Sequence, residues 1–385
     1  MEKITNDLIY VGVDDLDIDL FEGQFPVANG MAYNSYVLLD EKTAVIDTVD
    51  GRFCDRWLDN VRAALGGRKP DYLIVDHMES DHSANMDALI AEYPDVTVVG
   101  NAKTFAMAEA FFGKSTVKNA LTVSDGEKLS LGKHELTFVF APMVHWPEVM
   151  MTYDALDKTL FSADAFGKFG TRNADDEWTD EARRYYFGIV GKFGAQVKSA
   201  LAKLATYDIK RICATHGPIL DGELSAYIQK YALWSEYRPE RDGVLIAYTS
   251  IYGHTEAAVN MLAAKLKEKG VSDVKVYDLA RCDRYAAIAD AFSYAKIALA
   301  TTTYNGGIFP AMREFIDALT ERNFQNRTIG LVENGAWAPT AANAIKAKFE
   351  KSKDITFAPT SVKIRAALAD DSKQTIDALA AELSE

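Results

Sequence analysis

Cysteine is scarce in this sequence: Cys54, Cys213 and Cys282 are the only three. No two of them form a C-x-x-C pair, so neither a disulfide framework nor a thiolate-bound iron or zinc module is expected. Reduced cysteines and the cytoplasm are the expected setting. Long apolar runs are also missing, and none reaches the roughly 18 residues needed to cross a bilayer. The start of the chain, Met1-Glu-Lys-Ile-Thr-Asn-Asp7, lacks the basic head, apolar core and small-residue cleavage site of an export signal. Basic charge is in deficit, with 42 Lys and Arg against 56 Asp and Glu and a net charge of −14. That balance argues against nucleic acid or an anionic membrane as the main partner. No short internal repeat or low-complexity tract is present. The remaining composition, 48% hydrophobic and 25% charged, is that of an ordinary globular protein. Its 385 residues predict two or three domains.

The rhythm of the chain changes part-way. The first half mixes strand-like runs (Tyr36–Leu39, Ala44–Ile46, Tyr72–Val75, Val96–Val99, Leu136–Phe140) with helical spacing over Asp55–Leu65 and Asn101–Phe112. A further helical stretch, Thr179–Tyr207, is expected to break near Gly188–Gly194. Glu236-Tyr-Arg-Pro-Glu-Arg-Asp-Gly243 reads as a short polar linker. Five strand–helix units follow. Their strands are Val244–Tyr248, Val274–Tyr277, Ile297–Ala300, Thr328–Val332 and Ser361–Ile364. Their helices are His254–Lys269, Ala286–Ala295, Ala311–Thr320, Pro339–Lys351 and Ser372–Leu383. Such alternation predicts a parallel doubly wound sheet. The expected domains are residues 1–240 and 243–385.

Seven potential metal ligands follow apolar runs in the first half. His77-Met-Glu79-Ser-Asp81-His82 comes directly after Tyr72–Val75. His145 follows Leu136–Phe140, Asp164 follows Leu160-Phe161, and His216 follows Ile212-Cys213. Strand ends are where loops of an α/β protein converge. Zinc hydrolases favour neutral imidazole, often with one carboxylate. Four imidazoles with three carboxylates suit two harder, redox-active ions such as iron, and Asp164 can bridge a metal pair. His134 reads as a core or surface residue, and Asp47 and Asp50 as turn residues.

A second group of loops follows strands one, three and four of the later half. Ser250-Ile251-Tyr252-Gly253-His254-Thr255 opens a helix and offers hydroxyls and backbone N–H groups to one phosphate. It fits neither a G-x-x-x-x-G-K-[ST] loop nor a G-x-G-x-x-G turn. Thr302-Thr303-Tyr304-Asn305-Gly306-Gly307 and Asn334-Gly335-Ala336-Trp337 supply an amide, glycines and aromatics suited to a flat polar ring.

His77-Met-Glu-Ser-Asp-His82, His145-Trp-Pro, Ala163-Asp164 and Thr215-His216-Gly resemble the metallo-β-lactamase-like domain of the flavodiiron proteins, as do Gly30–Tyr36 and Val45–Thr48 upstream. The three later loops resemble the FMN site of flavodoxins, the other half of that family. Glu79 stands where hydrolases of the first fold carry histidine. The resemblance implies an N-terminal αββα sandwich followed by a flavodoxin-like sheet. It implies one iron held by His77, Glu79 and His145, a second by Asp81, His82 and His216, and Asp164 as bridge. His82 is the ligand left open, because in some members the matching histidine swings away. Tyr185-Tyr186 resembles a tyrosine pair near the iron site, and Tyr186 is taken as a proton or hydrogen-bond donor; Trp146 is a second such neighbour. Gly335 stands where many relatives carry an aromatic.

The implied activity is reduction of O2 to water, NO to N2O, or both, with electrons reaching a non-haem diiron centre through FMN. The expected organisation is the minimal two-domain type, which takes electrons from rubredoxin or a reduced deazaflavin. A head-to-tail homodimer, alone or as a dimer of dimers, is implied, with the FMN of one subunit beside the iron of the other. Two rival readings are a di-zinc hydrolase fused to a flavodoxin, and an electron carrier whose first domain is only structural.

Overall fold

The computed structural model describes residues 2–114 and 116–385. Their contacts divide the chain into two units, Met1–Tyr186 with Ala195–Ala232, and Phe187–Gly194 with Leu233–Glu385.

The first unit contains two large facing sheets. A seven-stranded sheet runs in the order Glu2–Lys3, Leu8–Tyr10, Tyr36–Leu39, Thr43–Ile46, Tyr72–Ile74, Thr97–Gly100 and Ala120–Thr122. It is antiparallel as far as Thr43–Ile46 and parallel beyond. A six-stranded sheet follows in chain order from Lys128–Ser130 to Leu220–Asp221, antiparallel except where Thr159–Phe161 runs beside Arg211–Cys213. Strand alternation explains the layering. Tyr36, Leu38, Ile46, Ile74 and Val99 from the first sheet meet Leu136, Phe138, Met150, Phe161 and Cys213 from the second in one buried cluster. Val37, Val45, Leu73 and Val98 point the other way and are buried as well, so helices must cover that face. The helix Cys54–Leu65 does so with Trp57, Leu58, Val61, Ala64 and Leu65, and Gly66 ends it in the left-handed region. The Trp57 indole N–H donates to Ser35 Oγ at 3.0 Å, so burying that ring leaves no polar atom unmatched. The result is the αββα layering expected.

In the second unit five parallel strands lie in the order Val274–Asp278, Arg241–Tyr248, Tyr294–Tyr304, Arg327–Asn334 and Ile355–Ile364. That is the flavodoxin-like 2-1-3-4-5 order, with the switch point between the first and third strands. Helices His254–Glu268 and Asp370–Ser384 close one face through Val259, Leu262, Leu266, Ile376, Leu379 and Leu383. Two expectations are corrected here. The helix foreseen over Ala286–Ala295 spans Arg284–Ser293, and Tyr294 already begins a strand. The segment read as a linker is built in, because Arg241 is already strand and the Trp234 indole donates to Glu240 Oε1 at 2.8 Å.

The helical stretch near residue 188 breaks as foreseen. Trp178–Tyr185 ends, wider and tighter turns follow to Phe193, and Gly194–Leu204 resumes. The intervening Phe187–Gly194 groups with the second unit for a physical reason. Phe187 stacks on Phe292 with ring centroids 4.0 Å apart, and Arg322 donates to the carbonyls of Phe187 and Gly188 at 2.8 and 3.2 Å. Among the described residues no helix is long and apolar enough to cross a membrane.

His134 is fully buried between carboxylates, with Nδ1 2.9 Å from Asp154 and Nε2 3.4 Å from Asp7. Burial works against its charge, but Asp154 and Asp7 outweigh it and raise its pKa. A raised histidine pKa stabilises the fold below the ordinary imidazole value, and that stability is lost as pH rises through the folded value. His134→Gln is therefore expected to lower the melting temperature more at about pH 6 than at about pH 9. Calorimetry of both proteins at the two pH values checks this.

Candidate metal centre and flavin cleft

The ligand loops start from strand ends and are held by hydrogen bonds that keep several residues in strained backbone. Asp47, Met143 and Ala163 adopt φ of 52°, 65° and 48°, unusual for non-glycine residues, and each lies at or near a ligand segment. Asp47 is no mere turn residue. Its Oδ1 accepts the backbone N–H groups of Asp76 at 2.8 Å and His77 at 3.4 Å. Glu148 Oε1 accepts His77 Nδ1–H at 2.8 Å and the Met78 N–H at 2.9 Å. His216 Nδ1–H donates to Ala32 O at 2.7 Å. With each Nδ1 engaged as donor, Nε2 of His77 and His216 presents a lone pair.

Two groups form. His77, Glu79, His145 and Asp164 bring one ligand atom each within 4.8 Å of one another, and so do Asp81, His82 and His216. Asp164 faces both. Its Oδ2 lies 3.0 Å from His145 Nε2 and 3.5 Å from His77 Nε2, while Oδ1 lies 3.1 Å from His82 Nε2 and 3.7 Å from His216 Nε2. Thr215 Oγ1 donates to Oδ1 at 2.6 Å and fixes the carboxylate plane. His82 is turned inward. Each half is thus two imidazoles and one carboxylate, with Asp164 shared.

Electrostatics show what the cluster is built for. Burial disfavours the Asp164 charge, yet His77, His82 and His145 hold its carboxyl well below the usual range. Burial likewise opposes the charged forms of His82 and His145, and the surrounding carboxylates still push both up to about 9. Both oxygens of Asp81, both ring nitrogens of His82 and Nε2 of His216 are buried without a well-directed hydrogen bond, although Asp81 Oδ2 stands 3.4 Å from His82 Nε2 and 3.3 Å from His216 Nε2. Unmatched buried polar atoms of this kind are costly. Two cations among these seven side chains would satisfy the Asp81 oxygens and the Nε2 atoms of His82 and His216, leaving only His82 Nδ1 among these atoms unmatched, so the residues fit a metal pair.

A cavity of about 570 Å³ opens onto Glu79 and Asp81, with Glu22, Tyr33, Arg52 and Trp146 also on its wall. The Trp146 ring stands edge-on to His77 at 5.4 Å. Of the two tyrosines, Tyr185 packs at 5.4 Å from His216, and burial, then Asp164 and Asp81, raise its hydroxyl pKa well above normal. Tyr186, the one taken as donor, packs its ring on Tyr231 at 5.2 Å. Adjacent residues on a helix point roughly 100° apart, so the two neighbours diverge.

In the second unit a cleft of about 650 Å³ is lined by all three predicted loops. Ser250, Ile251, Tyr252, His254, Thr255, Thr302, Thr303, Tyr304, Asn305, Gly306, Asn334, Gly335, Ala336 and Trp337 face it, and Ala338, Thr340 and Ala366 complete it. Gly253 and Gly307 do not line it. Gly253 holds the turn before the helix at φ 84°, and Gly307 pairs back on Tyr304 in a hairpin. No lysine or arginine lines the cleft, so a phosphate would rely on the N-terminus of His254–Glu268 and on hydroxyls. Thr255, Thr302 and Asn334 already cluster, with Thr255 Oγ1 3.2 Å from Thr302 Oγ1. Trp337 is 92% exposed and Tyr252 87%, flat surfaces available to a ring. These features fit a flavin mononucleotide.

Comparison with known proteins agrees with this architecture. Residues 31–217 match the ODP family beta lactamase, and residues 245–365 a flavodoxin domain. A nitric oxide reductase of Moorella thermoacetica is 30% identical over 361 residues, spanning 91% of this chain and 90% of that protein. The anaerobic nitric oxide reductase flavorubredoxin of Vibrio vulnificus is 28% identical, over 90% of this chain and 72% of that protein. The solved structure of rubredoxin oxygen:oxidoreductase from Desulfovibrio gigas superposes with a TM-score of 0.92 at 25% identity, covering 100% of this chain and 97% of that one. The chain belongs to the flavodiiron proteins. The flavodiiron protein of Giardia intestinalis shares the fold, with a TM-score of 0.90 at 23% identity over 100% of this chain and 95% of that one.

Sequence reading missed Glu148, Asp47, Thr215 and Asp76. Glu148 stood three residues beyond His145, and Asp76 directly before His77, so proximity to a ligand was the available signal. Removing the carboxylate that orients His77, by Glu148→Ala, is expected to weaken metal binding about 10- to 100-fold. Metal retained after dialysis against a graded chelator, with flavin content as internal control, measures this. At Gly335, where the resemblance leads one to expect an aromatic, a Cβ would stand 2.9 Å from Pro339 Cα. Gly335→Trp should accordingly lower flavin occupancy rather than add a stacking ring, which absorbance of the purified variant reports.

Proposed function

We propose that this flavodiiron protein reduces O2 to water, NO to N2O, or both, at a two-iron centre fed by FMN. The observation that carries the reading is the shared Asp164 between two sets of two imidazoles and one carboxylate. Two histidines with one carboxylate is a ligand set of redox-active non-haem iron, whereas zinc hydrolases of comparable ligand number favour imidazole. His77, Glu79 and His145 would hold one iron, Asp81, His82 and His216 the other, with Asp164 across both. When bound, the irons supply the gas-binding site and the flavin delivers electrons one at a time.

The chain's own groups account for the rest. O2 takes four electrons and four protons to give two waters, and two NO take two electrons and two protons to give N2O and water. Protons must therefore enter together with electrons. Tyr185, kept protonated by burial and beside His216, can orient a polar group at the centre. Glu22 and Arg52 line the cavity that opens onto Glu79 and Asp81 and are placed to pass water and protons to the centre. In the cleft, the helix N-terminus and the Ser250, Thr255 and Thr302 hydroxyls would hold the phosphate, and Trp337 or Tyr252 the ring. The name of the Desulfovibrio gigas protein supports rubredoxin as donor, and a reduced deazaflavin is the other candidate. The exposed aromatics at the cleft rim are surface of the kind that the head-to-tail homodimer implied by the family would cover.

The experiment is gas consumption by protein reduced with a chemical donor, with O2 and NO offered separately. Consumption of either at the stated electron stoichiometry is expected. His145→Ala should lower the rate by more than about 100-fold, exceeding the loss typical of residues that only orient a ligand, while flavin content stays normal. Equal rates in the variant would point to flavin chemistry alone and to the electron-carrier reading.

A further inference from the structure

Lys168 is not among the metal ligands, yet its side chain is 3% exposed and ion-paired with Asp176. A buried lysine needs such a partner. Asp176 is itself tethered, because its Oδ2 accepts the Asn29 Nδ2–H at 2.9 Å. The lysine stem runs against the residue that follows ligand His216. A Cβ placed on Gly217 would stand 2.7 Å from Lys168 Cγ and 3.3 Å from Lys168 N.

The pair also spans the loop that leaves Asp164. Within that loop Gly170 O accepts the Ala32 N–H at 3.1 Å, and Thr171 N–H donates to Asn29 O at 2.9 Å. Ala32 O in turn accepts His216 Nδ1–H at 2.7 Å. One closed circuit of contacts therefore runs from Lys168 through Asp176, Asn29 and the Gly170–Ala32 bridge to the His216 ring. It returns through Gly217 to the lysine stem. His77 and Met78 are held from another direction, by Asp47 and Glu148.

We propose that Lys168 is a positioning residue for one half of the metal centre. Paired with Asp176, it holds the Asp164 loop and His216 so that the half completed by Asp81 and His82 keeps its metal. This rests on the two-iron reading. Removing the pair should affect the two halves unequally, which a general loss of stability would not do.

The test follows iron release to a chelator from the full-length proteins Lys168→Met, Asp176→Asn, Lys168→Arg and wild type. Mössbauer spectra and flavin content are recorded alongside. In Lys168→Met and Asp176→Asn one iron is expected to bind about 10- to 100-fold more weakly, while the other iron stays bound at wild-type affinity, its spectrum changed by the loss of its neighbour across Asp164, and the flavin is unchanged. Lys168→Arg, which keeps the charge, should resemble wild type. Both irons held at wild-type affinity in the two charge-removing variants would overturn the proposal, as would loss of both together in each. If wild type itself holds no iron pair, the two-iron reading fails and this inference falls with it. Two irons in wild type with unchanged variants refutes the brace alone.

Discussion

Three carboxylates and four imidazoles converge at one edge of a sandwich, and most of the first unit is arranged to make that tolerable. Like charges placed close together in a buried site repel one another, and none of them can be solvated as in water. The structure counters this with Asp164, whose two oxygens face different histidine pairs. It adds supports that set the ligand orientations before any metal arrives: Glu148 under His77, Ala32 under His216, Thr215 beside Asp164 and Asp47 beneath the His77 backbone. Left-handed backbone at Asp47, Met143 and Ala163 is tolerable because these hydrogen bonds and the packed sheets over-determine the loops. The cation pair that this arrangement calls for follows from the same argument.

Much of this was legible in the sequence. Spacing and position after apolar strands marked all seven side chains that the structure brings together, because candidate ligands at strand ends leave a local signature. The second unit was legible for a related reason. Parallel strands alternate with helices at regular length, and the three cleft loops follow strands one, three and four. What stayed hidden depends on tertiary contact. Asp47 looks like a turn residue until its carboxylate is seen to reach two N–H groups from another strand. Glu148 and Lys168 act across 71 and 8 residues of chain respectively. That Tyr185 packs against His216 depends on which face of the helix meets the cluster. The Phe187–Gly194 segment groups with the second unit through the Phe187–Phe292 stack and the Arg322 hydrogen bonds to its carbonyls.

The two sites divide the chemistry. The first offers hard anionic oxygen and imidazole donors beside a cavity of mixed polar and apolar lining, suited to iron and to small uncharged gases. The second offers neutral donors, a helix N-terminus and exposed aromatic surface, suited to a phosphate-bearing ring. A hydrolase would have no need of the second, and a pure electron carrier no need of the first. Both sets are complete in one chain, and this favours the redox reading over either rival.

The central claim is that the seven ligands hold iron. Elemental analysis of anaerobically purified protein, expressed in iron-rich medium, tests it most directly. The account predicts about two irons per chain and little zinc, as expected for histidine–carboxylate sites of this charge. Two zincs with little iron would contradict it and return the first unit to the hydrolase reading.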